Sequence, residues 1–298
     1  MSIVNNANPG SSILILSTID QYLLKHRDKP ITIEKLKQHL RPETLSKTDT
    51  AAKRFQENLD FWLKLGLWGL DTENQQIFSQ PESEKHSLEF RLLKKIIALT
   101  DNPQTFFEGG GVEPFILTLS CLIQQDRYTF VGGDRLTGGS SSNVSSAVNQ
   151  YAMLQRVVNQ SNEAGHFIKW AEFLGFLEPD QPNQYILDPT RAILPYLEII
   201  FAEQQTLPIQ TFLHQLAEYL PMFNQGLFTA YLADVLREPA SEQQHQISAA
   251  LSHALLRLEL MNKIKFDRKS DDSMAMQLVL PQGMPVKMVS TISFRNVA

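Results

Sequence analysis

The sequence predicts a mainly α-helical protein of the α+β class, in which short β-hairpins follow groups of helices. Apolar residues recur at helical spacing along most of the chain, which indicates amphipathic helices. Three short patterns of strand, polar turn and strand interrupt this spacing. Gly66 and Gly175 each stand directly before one of these patterns, where a helix C-cap is expected.

The first predicted unit spans residues 1–82. Its expected helices share an apolar face at helical spacing and cover about 12–26, 32–40 and 48–65. Thr32 is expected to cap the second helix, and residues 67–78 are expected to form a hairpin. Three helices followed by a hairpin are typical of a winged helix, so we predict tandem winged-helix-like units.

The second predicted unit spans residues 83–190. Its expected helices cover about 87–99, 112–125, 145–159 and 163–174. Residues 176–187 then repeat the pattern of strand, turn and strand. Because segment 169–176 resembles segment 61–67, we interpret the second unit as a variant of the first.

The third predicted unit spans residues 191–298 and is expected to end in a β-hairpin. Its expected helices cover about 189–204, 208–219, 227–236 and 242–262, the last one capped by Ser241. The hairpin is expected to pair residues 264–266 with residues 274–280 across a polar turn.

The overall composition predicts a soluble, cytoplasmic protein. The chain has 298 residues, 43% of them hydrophobic, which is enough for packed cores. No apolar run is long enough for a membrane helix, and the N-terminus lacks the pattern of a signal peptide. Cys121 is the single cysteine of the chain, so no intrachain disulfide is expected.

Charge argues against tight DNA binding by the chain alone. The net charge is −5, and residues 101–200 carry 11 acidic against 5 basic side chains. Because phosphate neutralisation supplies much of the affinity for DNA, a middle unit this acidic is not expected to face phosphate.

Basic side chains near the predicted hairpins of the first and third units are the candidates for DNA contact. In a winged helix, the helix before the hairpin enters the DNA groove. The candidates are Lys47, Lys53, Arg54, Lys64, Arg257, Lys263, Lys265, Arg268 and Lys269. The alternative, that these residues form solvated helix faces, stays open because acidic neighbours such as Asp49, Glu57 and Asp60 dilute the charge.

Two glycine-rich segments, 109–111 and 132–143, invite comparison with phosphate-binding loops. Neither matches a P-loop or a dinucleotide-binding fingerprint, so we expect no cofactor and interpret both as loops between helices. The Gly/Ser-rich loop 128–145 is instead a candidate docking site that orders on binding. Its candidate residues are Arg135, Ser140, Ser141 and Asn143.

No constellation for catalysis or metal binding emerges from the sequence. The seven histidines show no HExxH spacing, and one cysteine cannot form a thiolate zinc cluster. A nucleophile elbow and the kinase motifs are also missing. We therefore expect no metal and no enzymatic activity.

Segments 170–176 and 188–192, together with the helix from Leu14 to Leu24, carry a resemblance to a known family. Here the chain resembles the DpdG-like proteins. These are accessory components of prokaryotic gene clusters that insert 7-deazaguanine derivatives into DNA and restrict DNA lacking them. The resemblance implies a non-catalytic subunit that works beside helicase- or nuclease-like proteins in anti-phage defence.

We therefore predict a non-catalytic binding or adaptor subunit of a DNA-processing or defence complex. Its expected partners are proteins of that complex, with double-stranded DNA as a further partner of the first and third units, and no membrane. Two alternatives stay open: a stand-alone winged-helix transcriptional regulator, and a nucleotide-dependent enzyme that uses the glycine loops.

Overall fold

A computed structural model describes the protein over residues 3–5, 12–41, 49–100, 102–125, 136–137, 144, 147–152, 154, 158, 163–237, 245–280 and 283–295. Its α-helices are α1 (Ile13–Lys25), α2 (Ile33–Leu40), α3 (Asp49–Lys64), α4 (Leu88–Ala98), α5 (Pro103–Glu108), α6 (Glu113–Ile123), α7 (Ala164–Phe173), α8 (Thr190–Ile200), α9 (Ile209–Tyr219), α10 (Leu227–Ala233) and α11 (Ala249–Leu260). Its strands are β1 (Ile31–Thr32), β2 (Gly69–Asp71), β3 (Gln76–Phe78), β4 (Leu136–Thr137), β5 (Leu177–Gln181), β6 (Gln184–Leu187), β7 (Thr206–Pro208), β8 (Gln246–Ile247), β9 (Ile264–Asp267), β10 (Met276–Leu278), β11 (Lys287–Val289) and β12 (Thr291–Phe294). This mixture of helices and small sheets agrees with the predicted α+β class.

Three of the small sheets share one connectivity. Their strand orders are β1-β3-β2, β4-β6-β5 and β7-β12-β9. In each sheet the strand that comes last in the chain lies in the centre, and both of its neighbours are antiparallel to it. The same sheet connectivity therefore occurs three times along the chain.

The helices that lead into these sheets, α3, α7 and α11, end in the same turn. The residue that follows the left-handed position of each turn donates its N–H to a carbonyl five residues earlier, at 2.8 to 3.0 Å. This Schellman turn needs a positive φ, which Gly66, Gly175 and Asn262 adopt at +67°, +86° and +55°. Glycine and asparagine tolerate this left-handed conformation best, so the local sequence determines where each helix ends.

The hydrophobic core is continuous across the three predicted units. One cluster of buried side chains includes Leu59, Phe167 and Leu255, one from each unit. Between the first two units, the Asp20 carboxylate on α1 accepts a hydrogen bond from Arg91 on α4 at 2.7 Å, and both side chains are buried. The domain boundaries at residues 82 and 190 stay a prediction, because packing runs across both.

The first two predicted hairpins are present as β2–β3 and β5–β6. Thr32 caps α2 as predicted, since its side chain accepts a hydrogen bond from the Lys35 N–H. The structure adds six short strands that the sequence did not reveal: β1, β4, β7, β8, β11 and β12. Each contributes only two to four residues, too few for a clear alternating pattern.

The predicted hairpin of the third unit is wrong. Strand β9 pairs with β12, while β10 pairs with β11 and with the parallel strand β8. Because residues 246–247 belong to that sheet, α11 begins at Ala249, whereas the sequence suggested 242. The helix expected over 145–159 also stops early, since Tyr151 forms a β-bridge with Leu236.

Candidate interaction surfaces

Helix α3 presents an exposed face that carries the basic candidates Lys53, Arg54 and Lys64. The opposite face packs into the core through residues that include Leu59 and Trp62, both fully buried. This burial fixes the rotation of the helix and turns the basic side chains toward solvent. The further candidate of this unit, position 47, lies outside the described residues.

Acidic groups share this surface. The Nζ atom of Lys53 lies 3.9 Å from the carboxylate of Glu57, one helical turn away, and Asp60 is exposed on the same helix. In the β2–β3 turn, hydrogen bonds from Asn74 lower the pKa of Asp71, so this carboxyl group is negative at neutral pH. The surface is therefore of mixed charge.

One face of helix α7 is buried in the core. Its buried residues are Ala164, Phe167, Ile168, Trp170 and Ala171. Lys169 is the one residue of this helix that is exposed. The ring of Trp170 contacts that of Trp62 on α3, with the ring centres 5.8 Å apart. With a single exposed side chain, α7 presents little basic surface to a DNA groove.

Helix α11 is also largely enclosed, since residues 249–255 are all buried. Further along it, Arg257 forms an ion pair with Asp188, whose carboxylate is 1% exposed. The Nε2 atom of His253 lies 3.4 Å from the same carboxylate, and the N–H of Thr190 donates to it at 3.0 Å. Arg257 is therefore held by an internal partner.

The ionisation of Asp188 reflects these contacts. Burial alone would raise the pKa of this carboxyl group, but hydrogen bonds from His253 and Thr190 outweigh burial and hold the pKa well below its usual range. Asp188 is consequently a buried anion that ties the start of α8 to α11.

The remaining basic candidates of the third unit follow α11. The Nζ atom of Lys265 lies 2.6 Å from the carboxylate of Asp267. Arg268 and Lys269 are exposed in the segment between β9 and β10, which also contains Asp272. Among the third-unit candidates, these two side chains are exposed and, unlike Lys265, form no ion pair within the described residues.

The glycines at 109–111 are explained by the chain's own packing. A Cβ atom at Gly109 would lie 2.4 Å from the side chain of Glu113, so only glycine fits. The N–H of Gly111 donates to the Glu113 carboxylate at 2.6 Å. An internal carboxylate thus occupies the position where an anion would bind. The loop candidates Arg135, Ser140, Ser141 and Asn143 lie outside the described residues.

Reactive side chains are mostly buried or paired. Burial raises the pKa of the Cys121 thiol well above its usual value, so this group is a neutral core residue. His214 and Glu218 form the surface pair expected for their spacing, at 3.5 Å. Among the described residues, no three His, Cys, Asp or Glu side chains are placed to hold a metal ion. No helix in the described part of the chain is long and apolar enough to cross a membrane.

A cleft of about 340 Å³ lies where the segment before α4, helix α8 and the strand ends of the third unit meet. Its lining includes the basic residues Lys85, His86 and Lys263, together with Glu198 and Ile199. The sequence pointed to Lys263 but not to Lys85 or His86. These residues come from distant parts of the chain, and only the tertiary fold brings them together.

The segments that carry the family resemblance are packed against each other. The N–H of Ala192 donates to the carbonyl of Gly175 at 3.1 Å. The guanidinium of Arg191 donates to the carbonyls of Glu172 at 2.7 Å and Leu177 at 3.0 Å. A Cβ atom at Gly175 would lie 2.8 Å from the backbone nitrogen of Ala192. These residues form one structural unit that joins the end of α7 to the start of α8.

Fold and surfaces together define an α+β protein in which one sheet connectivity recurs three times and in which the buried carboxylates of Asp20 and Asp188 hold distant helices together. A family model described as DpdG-like matches residues 1–272, and the chain belongs to this family. The family resemblance found in the sequence is thereby confirmed, and membership associates the chain with the Dpd DNA-modification system. Comparison with curated proteins and with solved structures finds no match.

Proposed function

We propose that the protein is a non-catalytic binding subunit of a prokaryotic DNA-processing or anti-phage defence complex. Its proposed partners are helicase- or nuclease-like proteins of the same system, and its proposed location is the cytoplasm. Family membership supports this setting. The observation that carries the proposal is the internal use of the buried charges: Asp20 holds Arg91, and Asp188 holds Arg257 and His253. Charged groups that bind one another and hold helices together favour a scaffolding role over a catalytic role.

We further propose that the three repeated arrangements are winged-helix-like units. Each has a short first strand, a helix that ends in a left-handed turn, and two later strands of the sheet, the last of them in its centre. In a winged helix, the helix that precedes the two later strands is the DNA-reading element. Those helices are α3, α7 and α11; the burial of most of α11, and the single exposed side chain of α7, favour a scaffolding role for these two.

DNA contact is proposed for the first unit through Lys53, Arg54 and Lys64, and for the third unit through Arg268 and Lys269. All five side chains are exposed. Acidic neighbours limit the net attraction to phosphate, so such contact would position a duplex already held by a partner.

Co-expression tests the adaptor role. The chain would be produced with the helicase- and nuclease-like proteins encoded beside its gene and fractionated by size exclusion with light scattering. A complex of defined stoichiometry with at least one neighbour is expected. Elution of the chain alone, at its monomer mass of 33.9 kDa, beside every soluble neighbour would contradict the proposal.

The exposed basic face of α3 favours a second candidate, a stand-alone DNA-binding regulator. Fluorescence anisotropy with labelled duplex DNA would separate the two functions. A regulator binds by itself with a steep salt dependence, and it loses at least about tenfold in affinity in the variant Lys53→Glu/Arg54→Glu. The matched control is Lys29→Glu/Lys35→Glu, two exposed lysines of the same unit. No binding by the chain alone at about 50 mM salt would remove the regulator.

A further inference from the structure

We propose that the cleft beside α8 binds a short acidic peptide segment of a partner protein. An apolar side chain of the peptide would enter the cleft, and neighbouring carboxylates would bind Lys85 and Lys263 at its rim. The inference rests on the proposed function as a binding subunit and names the chemistry that one of its surfaces recognises.

The two lysines are not neutralised by the acidic residues near them in the chain. Within the described residues, neither Lys85 nor Lys263 has a carboxylate within 4.0 Å. Glu82 and Glu84, which precede Lys85, are 3.4 and 3.6 Å from other cations. Glu259, which precedes Lys263, is bound by a different lysine. As far as the described part of the chain extends, the cleft therefore holds two ammonium groups without a carboxylate partner, against the one carboxylate of Glu198, in a protein of net charge −5.

The wall that α8 forms in the cleft is largely apolar. Ile199 is 37% exposed, Pro195 is exposed and Leu194 is half-buried, and all three come from α8. The volume, about 340 Å³, is near the lower end of ligand pockets and has room for a few side chains. An apolar side chain of the peptide would release water from this wall. The lysines would select a negatively charged segment and fix its direction.

The aromatic rings at the cleft argue for a peptide over a nucleic-acid strand. Phe90 is 7% exposed, with its ring packed against Tyr196 at 4.9 Å, and Phe294 stacks on Phe201 at 5.6 Å. Single strands are usually held by stacking bases on open aromatic faces, and both of these rings already pack against another ring of the chain. Glu198 at the rim can accept the backbone N–H groups of a peptide, and the backbone of a nucleic-acid strand has none.

Phage display of random linear peptides, selected against the full-length chain, tests the proposal and requires no purified partner. Enriched sequences are expected to combine Asp or Glu with Leu, Ile or Phe. Synthetic copies, measured by fluorescence polarisation, should bind the variant Lys85→Glu/Lys263→Glu at least about tenfold more weakly, because attraction at both contacts becomes repulsion. Ile199→Asp should weaken binding through the apolar wall.

The matched control is Lys29→Glu/Lys35→Glu, which changes the net charge equally on exposed side chains of the first unit. Its affinity for the peptides should stay within about twofold. Circular dichroism would establish that all variants are folded. Three outcomes would overturn the proposal: enrichment of peptides without acidic residues, equal binding by the cleft variant and the control, or displacement of the peptide by a short oligothymidine.

The adaptor role and the peptide site are refuted by different results. If the complex with neighbouring proteins forms but is insensitive to Lys85→Glu/Lys263→Glu, the cleft proposal is wrong and the adaptor role stands. If peptides bind the cleft but no neighbour assembles with the chain, the adaptor role is wrong for those partners and the peptide site stands.

Discussion

Replacement of Asp188 by Asn should lower the stability of the whole chain. The change removes a buried negative charge that holds Arg257, His253 and Thr190. Hydrogen bonds to a charged group contribute about 1.5 to 3 kcal/mol each. Because the Arg257 side chain is 42% exposed and can turn toward water, the lower part of this range applies, and we expect a loss of about 2 kcal/mol.

For a chain of this length, about 1 kcal/mol corresponds to roughly 2 °C in the thermal midpoint, so Asp188→Asn should melt about 4 °C lower at pH 7. The pKa of Asp188 is lowered by folding, so its stabilising effect is complete above the unfolded value of about 3.9 and is lost as pH falls through the folded value. The difference between the two proteins should therefore shrink below about pH 4.

Thermal melts followed by circular dichroism, at pH 7 and below about pH 4, would measure the difference in midpoint between the two proteins. Asp28→Asn is the matched control, since the Asp28 side chain is 93% exposed, and its midpoint should move by less than about 1 °C. A midpoint for Asp188→Asn equal to that of the control at pH 7 would refute the reasoning. A difference that grows toward acid pH would refute the sign of the linkage.

Three substitutions and one labelling experiment probe other parts of the fold. Gly175→Ala should cost about 2 to 3 kcal/mol, through a positive φ and a backbone clash, whereas Gly66→Ala should cost only about 1 kcal/mol, because its neighbour is a flexible lysine end at 3.7 Å. Arg91→Leu should cost about 3 kcal/mol or more, since it leaves the Asp20 charge buried without its cation. Cys121 should resist a thiol reagent at pH 8 until the protein unfolds, because burial keeps the thiol neutral and covered.

Each of these has an internal control. Equal losses for the two glycine variants in urea unfolding would contradict the clash at Gly175. Adding Asp20→Asn to Arg91→Leu should recover part of the lost stability, and a further loss would show that the buried charge is not the cause. Fast labelling of Cys121 in the native protein, compared with labelling in urea, would contradict its burial.

Local sequence determined the elements whose stabilising interactions are short in range. The N-cap at Thr32, the helix ends at Gly66 and Gly175, and the first two hairpins depend on residues within a few positions of one another. Caps and left-handed turns use side chains and φ values that only a few residue types supply. Their sequence signals are therefore strong and the predictions were correct.

The third sheet shows where such reasoning stops. Strand β9 passes over the nearby residues 276–278 and pairs with β12, while β10 adds to β8 and β11. Each of these strands has the composition of a strand, but the choice of partner depends on how the whole segment between β9 and β12 packs. Pairing across a long segment is decided by the sum of tertiary contacts, which no short window of sequence contains.

The sequence by itself determined the α+β class, the family and the positions of most helices, because amphipathic spacing, caps and short motifs are written in neighbouring residues. Only the tertiary structure decided which charged groups are available to a partner. It buries one face of α7 and most of α11, it pairs Arg257 with Asp188, and it brings Lys85 and Lys263 into one cleft. The physical reason is that exposure and charge pairing depend on what the rest of the chain places nearby.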